Sequence, residues 1–179
     1  LHATSLCTQH RVAMTSIDPL VQDFLAQKRI AVTGVSATRE TPANAIYKKL
    51  RAAGYQVFAV NPKLDRFDDA PCFPDLAALP ERPDGVVVVN RPEVTAEIVR
   101  QCVACGVPRV WMHGSLGTSP RLFKKAAAAV TSVSDEAVAL CRDGGIAVIP
   151  GACPMMFVPP VDGPHRFICW LPRRTGSLD

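Results

Sequence analysis

Gly34, Ser36 and Arg39 follow the apolar run Arg29-Ile30-Ala31-Val32-Thr33, and Asn61-Pro62-Lys63 follows a second such run, Val57-Phe58-Ala59-Val60. Each run is short and rich in β-branched residues, as expected of strands buried on both faces. The residues that close them suit a polar, anionic ligand. Gly34 permits a tight turn, Ser36 offers a hydroxyl, and a helix starting next would aim free N–H groups at a phosphate. The dinucleotide fingerprint Gly-x-Gly-x-x-Gly is not met, because Ser36 and Arg39 occupy its second and third glycine positions. A carboxylate for a ribose diol is also missing after the second run. Lys63 stands there instead and suits an additional phosphate, with a solvated loop lysine as the alternative reading.

A third run, Gly85 to Val89, ends in Asn90-Arg91-Pro92, and a fourth ends in Met112-His113. Arg91 leaves a buried strand directly, where a charged residue emerges at the sheet edge. His113 at a strand end has the chemistry of a general base, but no carboxylate beside it in sequence is positioned to orient it, and a structural histidine is the simpler reading. Cys153 follows the fifth run. Activation as a nucleophile requires a helix N-terminus or a cationic neighbour; the apolar Met155-Met156-Phe157 favours a buried, inert thiol. Cys102-Val103-Ala104-Cys105 is a lone C-x-x-C on a predicted helix with no second pair at zinc spacing, and reads as core packing.

These residues must be held by a recurring strand–helix pattern. Strands are expected at Ile30–Val35, Tyr55–Val60, Gly85–Val89, Arg109–Met112 and Ile146–Ile149. Asp18-Pro19, Thr41-Pro42 and Pro92 open helices, and Gly54, Gly106 and Gly144-Gly145 close them. A short first helix runs to about Gln27. Asp68 to Pro83 reads as a loop with one helical turn near Asp75–Leu79. Ser132-Val133-Ser134-Asp135 caps a helix from Glu136 to Arg142, and the alanine-rich piece from Thr118 to Thr131 reads as an inserted surface helix. The expectation is a single doubly wound α/β domain, Rossmann-like, with a five-stranded parallel sheet ordered 3-2-1-4-5.

The chain has 179 residues, 48% hydrophobic and 20% charged, with a formal net charge of +4, which suits one soluble domain. The charge is modest and unclustered and aromatics are few, so neither nucleic acid nor a membrane surface is indicated as a partner. The seven cysteines sit mostly in apolar elements and read as reduced thiols, which points to a cytoplasmic setting. Residues 1–16 read as an N-terminal extension with Met14 as a natural start, 17–157 as the domain, and 158–179 as an irregular arm.

With these motifs placed, the chain resembles the CoA-binding domain family, stand-alone relatives of the CoA-binding domain of succinyl-CoA synthetase α subunits. The resemblance is carried by Ala31-Val32-Thr33-Gly34-Val35-Ser36, Asn44-Ala45-Ile46-Tyr47, Val57 to Lys63, Val110-Trp111-Met112-His113 and Ile149 to Phe157. It implies CoA lying across the carboxyl ends of the strands. Gly34, Val35 and Ser36 would meet the phosphates, with Arg39 a further phosphate ligand. Asn61, Pro62 and Lys63 would surround the adenosine end, Val89, Asn90 and Arg91 would close the adenine and pantetheine side, and Met112 and His113 would stand at the mouth. The segment Gly114 to Ser132 is longer than the short Gly/Ser turn of comparable members. The catalytic histidine of the synthetases belongs to a second domain, so the resemblance implies CoA or acyl-CoA binding without chemistry of its own. Two rivals remain: an NADP-binding oxidoreductase or sensor, for which Asn61 and Lys63 would accept a 2′-phosphate, and a subunit that docks on a catalytic chain through the tail bearing Phe167 and Trp170. A homo-oligomer or a partner protein is compatible with either.

Overall fold

The computed structural model describes residues 17–114 and 131–160. The expected extension 1–16, the inserted helix from Thr118 and the arm beyond Pro160 lie outside these residues. Helix α1 is Ile17–Leu25, followed by β1 (Arg29–Thr33), α2 (Pro42–Ala52), β2 (Gln56–Val60), β3 (Arg66–Phe67), β4 (Ala70–Phe73), β5 (Gly85–Val88), α3 (Pro92–Ala104), β6 (Arg109–His113), α4 (Asp135–Asp143) and β7 (Ala147–Ala152). A single 3₁₀ turn, Pro154–Met156, ends the described chain's regular structure.

Helix starts fall where capping chemistry sets them. Thr41 accepts from the Asn44 backbone N–H ahead of Pro42, and Ser134 accepts from that of Ala137. Side chains alternate across the sheet, so each strand feeds two cores. Val32, Val87, Trp111 and Ile149 pack on one face beneath α1 and α2, against Val21, Phe24, Ile46, Tyr47 and Leu50. Ala31, Phe58, Val86, Val88, Val110 and Met112 pack on the other beneath α3 and α4, against Ala96, Val99, Cys102, Ala137 and Cys141. Trp111 is fully buried, edge-on to Phe24 at 5.3 Å, and its indole N–H donates to the Ala152 carbonyl at 2.8 Å.

The sheet has seven strands, not five, in the order β3-β4-β2-β1-β5-β6-β7. All pairs are parallel except β3 with β4. The expected loop from Asp68 therefore holds a strand, entered from β3 through a tight turn in which Asp68 takes a φ of 56°. Two and four residues are too few to show a period-two pattern, and Pro71 inside the longer one argues against a strand in sequence. At Asp75–Leu79 the chain makes a turn, with Asp75 accepting from the Ala78 N–H. The expected order also fails. The strand third in the expected set, β5, pairs with β1, because β4 occupies the free edge of β2. The chain thus builds outward from β1 through β2, then resumes on the opposite side of β1. The reversal puts a switch point at the carboxyl ends of β1 and β5, where open α/β sheets form a crevice.

Candidate functional site

A cleft of about 530 Å³ opens at that switch point. Gly34 lines it at the end of β1, Val89, Asn90 and Arg91 at the end of β5, and His113 at the end of β6. Arg39, Glu40, Thr41 and Pro42 bring the start of α2 to it, and Pro92 and Glu93 the start of α3. Two helices of 11 and 13 residues thus present their amino ends to one cleft, each with an arginine beside it. Partial positive charge from the helix ends and full charge from Arg39 and Arg91 favour an anion here; of the two glutamates in the lining, Glu40 is paired with Lys48 at 3.7 Å and Glu93 opposes.

The strands approach each other closely at its floor. Gly34 has a φ of 88°, and a Cβ on it would lie 2.6 Å from the Val89 carbonyl oxygen. Only glycine fits. The loop from Gly34 to Thr41 is then stitched by one side chain, the buried Asn44. Its Oδ1 accepts from the Ser36 backbone N–H at 2.9 Å and the Thr41 hydroxyl at 2.8 Å. Its Nδ2 donates to the carbonyls of Ser36 at 2.8 Å and Arg39 at 3.2 Å. With both ends of its amide used, Asn44 has a structural task. Asn90 is fixed from beneath, its Oδ1 accepting from the Thr33 hydroxyl at 2.6 Å.

The remaining candidates stand apart from the lining. Val35 is buried in the core beneath α2, and Met112 in the core beneath α3. The Ser36 amide is committed to Asn44, and its hydroxyl lies 3.3 Å from that of Thr38. Asn61 turns inward: its Nδ2 donates to the Val35 carbonyl at 2.6 Å and its Oδ1 accepts from the Lys63 backbone N–H at 2.8 Å. Pro62 and Lys63 are exposed beyond the cleft. Cys153 is buried against Met156, and Cys102 is fully buried on the inner face of α3, where desolvation raises its thiol pKa. Among the described residues no group of three or more His, Cys, Asp or Glu is placed to hold a metal.

His113 is 3% exposed, and burial alone pushes its pKa down to about 4, so the ring is neutral near pH 7. Beside it sit Thr131 and Ser132, which sequence reasoning missed as lining residues. An antiparallel bridge from Gly114 to Thr131 and a 2.8 Å hydrogen bond from the Ser132 N–H to the His113 carbonyl bring them there. No local signal announces a contact across that separation. Thr41-Pro42 and Pro92, by contrast, were legible as the starts of the helices that follow two strands, which places them at the carboxyl edge by topology.

A geometry of this kind marks a ligand-binding α/β domain, and comparison with known proteins narrows the class. The sequence profile of the family described as "CoA binding domain" matches residues 28–159. The chain belongs to that family. It is 25% identical over 91 residues to acetate–CoA ligase [ADP-forming] II of Archaeoglobus fulgidus, half of this chain and 14% of the ligase. It is 33% identical over 75 residues to acetate–CoA ligase [ADP-forming] I of the same organism, covering 42% of this chain and 11% of the ligase. The chain thus spans a small share of these relatives. In structure it is similar to a hypothetical protein from Pyrococcus horikoshii OT3, with a TM-score of 0.66 and 22% identity over 87% of this chain and 94% of that one. That likeness shows the α/β Rossmann-like fold. No helix among the described residues is long and apolar enough to cross a membrane.

Proposed function

We propose that this domain binds CoA or an acyl-CoA across the carboxyl ends of β1, β5 and β6 and performs no covalent chemistry itself. The observation that carries the reading is the convergence of two helix amino ends, Arg39 and Arg91 on one cleft at the switch point. The pyrophosphate of CoA would sit between the starts of α2 and α3, Asn90 would turn its free amide end to the ligand, and the 3′-phosphate would extend toward Lys63. Calorimetry with CoA, dephospho-CoA, NADP and NAD tests this. CoA should bind more tightly than dephospho-CoA and much more tightly than either dinucleotide; equal affinity for CoA and NAD would sink the assignment.

A second reading, that the domain hands CoA to chemistry located elsewhere, is favoured by the share of the acetate–CoA ligases it matches. In them the corresponding segment is a small part of a longer chain. The catalytic portion would then lie on the same or another polypeptide. Co-purification of this chain with an acyl-CoA-forming subunit, strengthened by added CoA, is the expected result.

A further inference from the structure

The cleft is chemically two-sided. Its cationic side is made by Arg39, Arg91 and the starts of α2 and α3, with Glu40 and Glu93 alongside. One strand further along the sheet edge, at the end of β6, the lining changes to His113, Thr131 and Ser132. His113 and Ser132 are 3% and 2% exposed, and both face the same space. Polar side chains this deeply buried are normally hydrogen-bonded, and no bond to the imidazole of His113 or the hydroxyl of Ser132 is formed among the described residues. Among the described residues neither side chain has a partner in the fold, and both line the cleft.

Resting on the CoA reading, we propose that His113 and Ser132 receive the uncharged carbonyl of the ligand's arm, so that the site accepts CoA and neutral short acyl-CoAs and discriminates against acyl groups ending in a carboxylate. A neutral carbonyl satisfies a buried imidazole or hydroxyl at little desolvation cost. A terminal carboxylate brought to the same end of the cleft loses its water and meets no cation among the described lining residues there. Charging His113 to receive it is opposed by the same burial, which holds the ring neutral. The phosphates, already anionic, belong at the arginines, and this fixes the direction in which the arm runs.

Calorimetry on the unaltered full chain provides the test, with CoA, acetyl-CoA, succinyl-CoA and 3′,5′-ADP as probes. Acetyl-CoA should bind within about threefold of CoA, and succinyl-CoA about tenfold more weakly or worse. Succinyl-CoA binding as tightly as acetyl-CoA overturns the proposal without any variant. His113→Ala should weaken CoA and leave 3′,5′-ADP, which lacks the arm, unchanged; equal weakening of both would place His113 at the phosphates and overturn the assignment. His113→Gln, neutral and hydrogen-bonding, should keep the ranking. Failure of all four probes to bind would overturn the CoA reading itself, a result distinct from binding with the wrong ranking.

Discussion

The two edges of the sheet use arginine in opposite ways. At the amino edge Arg29 donates to both carboxylate oxygens of Asp84, at 3.2 and 2.7 Å, and also reaches Glu81 at 3.3 Å. Arg109, at the start of β6, holds both oxygens of Asp23 at 2.6 and 3.0 Å. Each pair ties a strand start to another element. At the carboxyl edge Arg39 and Arg91 form no ion pair among the described residues. A planar guanidinium engaged by a carboxylate in fork geometry is committed to the fold; one left beside a helix amino end is available to phosphate. The contrast separates an edge tied together by ion pairs from an edge whose arginines the proposed function gives to the ligand's phosphates.

Gly34 breaks that division and carries the largest expected effect. It lies on the binding edge, yet its φ of 88° and the 2.6 Å that would separate any Cβ there from the Val89 carbonyl oxygen make it a requirement of the fold. Gly34→Val should lower stability by about 3 kcal/mol or more, from backbone strain plus steric conflict. Urea denaturation measures this. Loss of ligand binding in that variant would report misfolding, so it does not locate the ligand.

Arg91→Ala and Arg29→Ala give the sharpest test of the comparison. The first should weaken CoA by about 1.5–3 kcal/mol, the range for hydrogen bonds to charged groups, and leave stability within about 0.5 kcal/mol. The second should reverse this, lowering stability modestly, as expected of a solvent-screened bidentate pair, and leaving CoA affinity unchanged. Calorimetry and denaturation on both variants decide; an Arg29→Ala protein that lost CoA affinity while folded would end the division of labour.

Acid should also act through the amino edge. The Arg29 guanidinium holds the Asp84 carboxyl down at about 2, below the ordinary range near 3.9. The depressed folded-state value means that Asp84 contributes stability in full above about pH 4, and that this contribution is lost as pH falls through the native value. The unaltered chain should therefore lose denaturation free energy between pH 4 and pH 2. In Arg29→Ala the loss over that window should be shallower, and an identical slope in both proteins would detach the pH response from this pair.

How far the sequence disclosed this arrangement depended on whether the signal was local. Thr41-Pro42, Pro92 and Ser134 set helix starts by capping, and the apolar runs at Ile30, Val57, Val86, Val110 and Ile146 all contain or adjoin strands. The hairpin of β3 and β4 was invisible because its strands are too short and one holds Pro71. Strand order was misjudged for a related reason: it depends on which edge is free, and β4 had already taken the outer edge of β2. In the cleft, Gly34, Asn90, Arg91 and His113 were legible as strand-end residues of suitable chemistry, and Arg39 as a cation in the loop that leads to α2. Thr131 and Ser132 were not, since their place depends on pairing with Gly114 and His113. Asn61 shows the limit from the other side. Its amide suits a ligand, yet here it bonds Val35 and Lys63, and no residue type declares which it will do.

Lys63 carries the smallest expected effect and refines the binding edge most finely. Its backbone is fixed by Asn61, but the side chain is exposed and outside the lining of the cleft. A phosphate reaching it would remain in water, where an exposed charge contact contributes about 0.2–1 kcal/mol. Lys63→Ala should therefore weaken CoA by only about that amount and leave dephospho-CoA, which lacks the 3′-phosphate, unaffected. Salt should erase the difference, because exposed pairs are screened at a Debye length of about 8 Å at physiological ionic strength. Calorimetry with both ligands at low and high salt measures it. Equal weakening of CoA and dephospho-CoA would move the 3′-phosphate away from Lys63 and leave the cleft arginines to bind every phosphate of the ligand.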